Sequence, residues 1–240
     1  MILTPYKPHV YVAVVIQARL GSQRFPKKVL ADVEGKPLLA RVIERVKHVE
    51  NCHAIIVASP DQECLDIAHG CGIWGVKGSE EDVLGRYIEA ARFCNADVVV
   101  RITADCPLVD AALIDEVITA LGQNDYAANC WKRTYPYGFE VEAFWTDVLI
   151  RINRLCSQEY HWEHVTTMIY DFPWMFQVAS VEDKEDNSDL RMCVDYKRDL
   201  DLIRAAYRAM GDEYWGYEKL IEFAREIQRE HMGNIATNGG

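Results

Sequence analysis

Seven consecutive apolar residues at 10–16 (VYVAVVI) leave this chain few architectural options. The run is rich in β-branched side chains and has no polar alternation. It reads as a strand covered on both faces, which is the condition inside a parallel sheet. Such sheets alternate strands with helices and carry helices on both sides. The next hundred residues supply that alternation. Pro37 opens LLARVIERVKHV, with Leu38, Leu39, Val42, Ile43 and Val46 at helical spacing. Residues 54–58 (AIIVA) read as a second strand, and Ser59-Pro60-Asp61 as the start of a helix reaching about Cys71. Residues 73–76 read as a short strand, 80–93 as a helix and 96–102 (ADVVVRI) as a strong strand. Pro107 and Asp110 lead into the helix ALIDEVITAL.

After Gly122 the pattern changes. Strands are expected at 126–130 and 137–144 around a Pro-Tyr-Gly turn, then at 174–181 and 190–194. Helices are expected at 145–155, 159–170, 199–210 and 217–229, and the final IATNGG reads as a loose tail. No repeat or linker divides the chain. The expected fold is a single α/β domain over residues 1–240. It has a mainly parallel, Rossmann-like sheet with helices on both faces and an inserted β-rich lobe at about 126–182.

Charge and cysteine content exclude several functions. The net charge of −11 comes with no basic stripe, so a nucleic-acid partner is not expected. The eight cysteines (Cys52, Cys64, Cys71, Cys94, Cys106, Cys130, Cys156 and Cys193) include no CxxC pair, which argues against structural zinc. They read as reduced thiols of a cytoplasmic protein. The N-terminal apolar run is too short for a signal peptide or a membrane span.

Against this acidic background, 16-IQARLGSQRFPKKVL-30 places Arg19, Arg24, Lys27 and Lys28 in one loop directly after the first strand. Ligands of open α/β sheets bind at the carboxyl ends of the strands, where this loop begins. Backbone amides around Gly21 and Ser22 suit a phosphate cradle. Arg19 and Arg24 suit bidentate contacts to phosphate oxygens, and Lys28 suits a point charge. The loop is neither a GxxxxGK[ST] P-loop nor a GxGxxG turn. The alternative is a solvated basic loop paired with surface acids.

The pattern IQAR-x-x-S-x-R-x-P-x-K-V-L resembles the opening signature of cytidylyltransferases of the spore-coat polysaccharide synthesis protein F type. It is more distantly similar to the enzymes that make CMP-activated sialic acids and CMP-Kdo. The resemblance continues, in family order, through 78-GSEEDVLGRY-87, 101-RITADCPLVD-110, 136-PYGFEVE-142, 163-EHVT-166 and 190-LRMCVDYKRDL-200. Lys27 stands where the family usually has glycine, which removes backbone freedom beside the loop. The resemblance implies that Arg19, Ser22, Arg24 and Lys28 grip the triphosphate of CTP, with Gln17, Ala18, Gly21 and Thr103 completing the nucleotide site. Arg19, Lys28 and Asp105 are the implied catalytic groups.

Asp105 and Asp195 each follow an expected strand, and the resemblance implies that both bind Mg²⁺, an ion that takes one or two carboxylates plus phosphate oxygens. The alternatives are helix capping by Asp105 and, nearby, by Asp199. On the acceptor side the expected residues are Arg101, Tyr137, Glu140, Glu142, Glu163 and His164. Glu140 and Glu142 alternate along one strand face, and Arg101 is a charge in an apolar strand that needs either a ligand or a structural acid. Lys132 or Arg133 suits an acid group on the acceptor. The other reading of this hairpin is a dimer contact, and a homodimer is what the resemblance implies. Ser79 and Asp82 read as a capping box; the sequence assigns no role to Arg86. The implied reaction is Mg²⁺-dependent CMP transfer from CTP to a small acidic acceptor, either a nonulosonic or other sugar acid or a phosphonate. The competing readings are a UTP or dTTP enzyme, or a non-catalytic assembly protein of the same fold.

Overall fold

The computed structural model describes residues 10–237, with side chains described through Arg229. The expectations for residues 1–9 and 238–240 lie outside the described residues. In chain order the elements are β1 (Val12–Gln17), the hairpin β2 (Asp32–Val33) and β3 (Lys36–Pro37), α1 (Leu38–Val46), β4 (Ala54–Ser59), α2 (Gln62–Gly70), β5 (Trp74–Lys77) and α3 (Val83–Cys94). β6 (Val98–Thr103), α4 (Ala111–Leu121), β7 (Tyr126–Ala128), β8 (Glu142–Trp145) and α5 (Thr146–Leu155) follow. The chain closes with α6 (Glu159–His164), α7 (Thr167–Asp171), β9 (Val178–Ser180), α8 (Asp199–Met210) and α9 (Tyr217–Thr237).

Seven strands form one sheet in the order β5-β4-β1-β6-β8-β7-β9. β1 lies in parallel between β4 and β6, and β8 is antiparallel to both of its neighbours. The apolar run at 10–16 explains this central place. Val12, Val14 and Ile16 enter one core layer; Ala13 and Val15 enter the other. Helices α1, α2, α4 and α8 cover the first face, and α3 and α5 the second. The chain leaves β1 toward β4 on one side and returns to β6 on the other. The crevice at the carboxyl end of β1 is therefore a topological switch point.

The segment 126–182 departs from its expected form. Its three strands extend the main sheet, and three helices lie among them. The strand expected at 137–144 is reduced to Glu142–Trp145, and the one expected at 190–194 to a single bridge between Tyr137 and Arg191. Gly138 (φ +107°) turns the chain where it meets the second segment. Here Met192 N donates to Tyr137 O at 2.6 Å, and a Cβ on Gly138 would lie 2.5 Å from the Met192 carbonyl carbon. The helix expected at 159–170 breaks into α6 and α7 at Val165, whose φ of +56° no helix accommodates. The expected strand at 174–181 opens as a 3₁₀ turn, Pro173–Met175, before β9. Asp82, not Ser79, caps α3, accepting from Gly85 N; the Ser79 hydroxyl holds the turn before it. Residues 235–237, expected in the tail, continue α9. Among the described residues all eight cysteines are free, and no helix is long and apolar enough to cross a membrane.

Gly138→Ala forces a β-carbon into the Met192 backbone at a left-handed turn. It is expected to lower stability by more than about 1 kcal/mol, read as a reduced urea midpoint at unchanged m-value.

Candidate active site

A cavity of about 630 Å³ opens at the carboxyl ends of β1 and β6. Gln17 at the end of β1 and Ala18, Arg19, Gly21, Ser22, Gln23, Arg24 and Lys28 of the loop after it contribute to its lining. Arg101, Thr103 and Asp105 come from β6 and the turn beyond it, and Glu80, Glu163 and Asp195 complete the wall.

The loop is shaped by its own hydrogen bonds. Leu20 N donates to Asp61 Oδ2 at 2.7 Å, while Ser22 N and Lys27 N both donate to Leu20 O. The Ser22 amide is thus engaged within the loop, and its hydroxyl accepts from Phe25 N at 3.4 Å. Lys27 adopts φ +57° and ψ +26°. The loop therefore keeps the left-handed turn that glycine takes easily, with the strain carried by a side-chain-bearing residue.

Lys28 joins three distant parts of the chain. Its Nζ donates to Asp105 Oδ2 at 2.7 Å, Val194 O at 2.9 Å and Asp195 Oδ1 at 3.2 Å. Burial disfavours the ammonium, but Asp105 and Asp195 outweigh it and hold the Lys28 pKa above the ordinary lysine value. The reciprocal effect acts on Asp105: burial would raise its pKa, but Lys28 overcomes this and keeps it below the usual carboxylate value. The two aspartates are also joined through the backbone, since Val194 N donates to Asp105 O at 2.8 Å. Asp199 caps the Asp195 turn, accepting from the amides of Asp195 and Tyr196. Neither Asp105 nor Asp195 caps a helix: Asp110 caps α4. Both carboxylates converge on one cationic point, which suits a hard divalent ion completed by phosphate oxygens and water. Among the described residues no cluster of three or more His, Cys, Asp or Glu side chains forms a metal cage.

The arginines differ in their engagement. Arg24 pairs with Asp195 at 2.8 Å, and Arg19 contacts Glu163 at 3.4 Å in an open setting. Arg101 resolves the question of its partner in favour of a structural acid, since it bonds Glu142. Burial disfavours the Arg101 charge, but Glu142 with help from Tyr87 outweighs it, and the pKa is raised. Glu142 is only 3% exposed and also accepts the Tyr126 hydroxyl at 2.6 Å.

Four of the expected acceptor residues stand outside the cavity lining: Tyr137, Glu140, Glu142 and His164. Glu142 lies in the buried pair just described. Glu140 precedes β8 instead of alternating with Glu142 along it; it accepts from Arg133 at 2.7 Å and from Gly138 N at 2.8 Å. His164 is exposed at the end of α6 and packs against Tyr160 at 5.0 Å. Tyr137 is exposed, with the Arg133 guanidinium 4.0 Å and the Arg191 guanidinium 5.9 Å from its ring centroid. Arg191 also bonds Asp195, so this cluster adjoins the carboxylate pair. Sequence reasoning missed Arg191. The available signal was a charge within the strand-like LRMCV, the same anomaly that marked Arg101.

Comparison with known proteins gives this geometry a family. The cytidylyltransferase family profile matches residues 13–231. The spore coat polysaccharide biosynthesis protein SpsF of Bacillus subtilis is 32% identical over 211 residues, covering 82% of this chain and 87% of that one. A 3-deoxy-manno-octulosonate cytidylyltransferase of Trichlorobacter lovleyi is 37% identical over 109 residues, covering 45% of this chain and 43% of that one. Among solved structures, a cytidylyltransferase from Leptospira borgpetersenii serovar Hardjo-bovis superposes with a TM-score of 0.88 at 27% identity, covering 92% of this chain and 96% of that one.

Lys28→Met removes the shared cation and leaves Asp105 and Asp195 facing each other. The expected loss is about 2–3 kcal/mol in urea unfolding at neutral pH. Lys27→Gly relieves the left-handed turn and is expected to raise the free energy of unfolding in the same measurement by up to about 1 kcal/mol.

Proposed function

The chain belongs to the cytidylyltransferase family, and on that premise we propose that it transfers CMP from CTP to a small acidic acceptor and releases pyrophosphate. The observation that carries this reading is the Lys28 ammonium held between Asp105 and Asp195 at the switch point of the sheet, with Arg19 and Arg24 on the same cavity. Polyphosphate needs converging cations, and the loop after β1 supplies three. The acceptor oxygen attacks the α-phosphorus in line, its proton passing to solvent. The α–β phosphoanhydride bond breaks, and its electron pair leaves with pyrophosphate. Charge grows on the non-bridging and leaving oxygens, and Arg19, Arg24 and Lys28 stabilise it. Asp105 and Asp195 would hold Mg²⁺, which supplies further neutralisation of the phosphate oxygens when bound.

An acidic acceptor is supported by Arg133 and Arg191, two guanidinium groups flanking exposed Tyr137 beside Asp195. A sugar acid and a phosphonate make the same demand for cations. The likeness to a 3-deoxy-manno-octulosonate cytidylyltransferase favours a sugar acid, and the likeness to SpsF favours a destination in a surface polysaccharide. A cytoplasmic homodimer, joined through the 126–182 segment, completes the proposal. Trp174 there is 76% exposed, which suits a contact surface.

The test begins with nucleotide binding. With Mg²⁺, CTP is expected to raise the melting temperature while UTP, dTTP, ATP and GTP do not. A ligand at a hundredfold excess over Kd contributes about 2.7 kcal/mol. With sugar acids and phosphonates offered as acceptors, CTP-dependent pyrophosphate release is expected, reduced on the order of a hundredfold or more in Asp105→Asn. A shift with UTP or dTTP in place of CTP would overturn the base assignment. Binding without turnover across the acceptor panel would overturn the acceptor class.

A further inference from the structure

A second cavity, of about 580 Å³, lies between α4, the loop at 182–187 and the start of α9. It shares no lining residue with the cavity at Lys28. Seven of its lining residues are acids, and Lys184 is the one lysine or arginine among them. Three of the acids are engaged elsewhere: Asp110 caps α4, Glu182 pairs with Lys132 at 3.3 Å, and Asp183 accepts the Tyr217 hydroxyl. Glu116, Glu218 and Glu222 make no ion pair and no side-chain hydrogen bond among the described residues. Glu218 and Glu222 are four apart on α9, where like charges repel.

Exposed acids alone are solvated by water and call for no ligand. Tyr135 adds a demand that they do not make. It is 7% exposed, yet its hydroxyl has no hydrogen-bond partner among the described residues and stays open to the cavity. A buried phenol ordinarily has one. Burial, and then Glu116, Asp183, Asp110 and Glu218, push its pKa up, and all four of these acids line the cavity. The hydroxyl thus stays protonated and faces four carboxylates across open space, with none in hydrogen-bond contact. A bare divalent ion does not suit this arrangement, because among the described residues no three acids come close enough to hold one metal. A chain of methylenes bearing separated ammonium groups suits it on each count. Its N–H groups can donate to the Tyr135 oxygen and to the unpaired carboxylates. Its methylenes can lie against Leu113, Ile221 and the rings of Tyr135 and Tyr217, whose centroids are 5.2 Å apart at 60°. Ammonium groups are also attracted to such ring faces.

We propose that this cavity is a binding site for a linear polyamine, held through the Tyr135 hydroxyl and the carboxylates of Glu116, Glu218 and Glu222. The three elements that meet here each supply part of it: α4 brings Glu116, the 182–187 loop brings Asp183 to anchor Tyr217, and α9 brings the two unpaired glutamates. The site is separate from the nucleotide cavity and stands whether or not CTP is the substrate.

The test is isothermal titration of spermidine and of MgCl₂, at fixed ionic strength, into the full chain and its Tyr135→Phe, Glu218→Gln and Glu63→Gln variants. Spermidine is expected to bind the wild type at one site per chain. Tyr135→Phe removes only the hydroxyl, and it is expected to weaken spermidine binding roughly tenfold. Glu218→Gln is expected to weaken it by about two- to fivefold. Glu63→Gln makes the same change in net charge on α2, outside the cavity lining, and is expected to leave the affinity as in wild type. Mg²⁺ binding is expected to be the same in Tyr135→Phe as in wild type. Absence of saturable spermidine binding overturns the proposal. So does an equal loss in Glu218→Gln and Glu63→Gln, which would mark attraction to net charge alone. Wild-type spermidine affinity in Tyr135→Phe overturns it as well, and a Mg²⁺ affinity that falls with the hydroxyl would replace the polyamine with a metal ion.

Discussion

The Lys28 ammonium is the point on which the rest of the site depends. It joins residues 77 and 167 positions apart by direct ion pairs. Without a cation there, two poorly exposed carboxylates would face each other at the end of the sheet. The pairing does more than neutralise charge. It fixes the loop after β1 against the turn after β6 and the approach to α8, three segments that share no strand ladder at this level. The backbone bond from Val194 N to Asp105 O and the Asp199 cap make the same junction from the main chain. A cavity lined from three places in the sequence needs such a junction to have a defined shape.

Behind the cavity, polar groups are satisfied in a different way. Arg101 sits in the central sheet, where an unpaired charge is not tolerated, and it is answered by Glu142 on the neighbouring strand. Tyr126 donates to the same carboxylate, and the Tyr87 hydroxyl reaches Gln17 at 3.2 Å. This chain of contacts runs from the end of β1 across β6 to β8 and β7. It backs the site with a connected polar layer that joins the cavity floor at Arg101 to the 126–182 segment at Glu142 and Tyr126. Arg86 is the contrast: it is buried more deeply than Arg101, and its guanidinium has no hydrogen-bond partner.

The parts legible in the sequence were those governed by a single neighbour or a single period. The run at 10–16 could only be a central strand, and the basic loop followed from its place after that strand. The family-like blocks carried Lys28, Asp105 and Asp195 to one locality, as found. The misread parts were those where two distant segments meet. Alternation at 137–144 resembled a strand, but Tyr137 bonds the 190–192 segment while Glu142 bonds β6, and Gly138 turns the chain between them. Glu140 and Glu142 consequently serve different partners, despite a spacing that placed them on one face. Ser79 and Asp82 had the spacing of a capping box, yet the helix begins after the second residue, because Asp82 itself reaches the Gly85 amide at 2.7 Å. No local pattern distinguishes those outcomes.

The resting charge arrangement bears on how an anionic ligand enters. Within the loop after β1, Arg24 and Lys28 hold Asp195 and Asp105, while Arg19 leans on Glu163. The acidic chain thus supplies its own counter-ions to the basic loop, which answers why so many like charges can be packed together in a protein of net charge −11. A polyphosphate bound here competes with protein carboxylates for the same cations. As it draws Arg24 and Lys28 away, Asp105 loses its cation and Asp195 keeps only Arg191, so the repulsion between the two carboxylates rises in a setting of low dielectric. Neutrality is restored most simply if the nucleotide arrives with a divalent cation of its own. On the proposed function, the exchange of ammonium for metal at one pair of carboxylates would couple the two binding events. Bare nucleotide and bare metal would each leave one set of charges uncompensated.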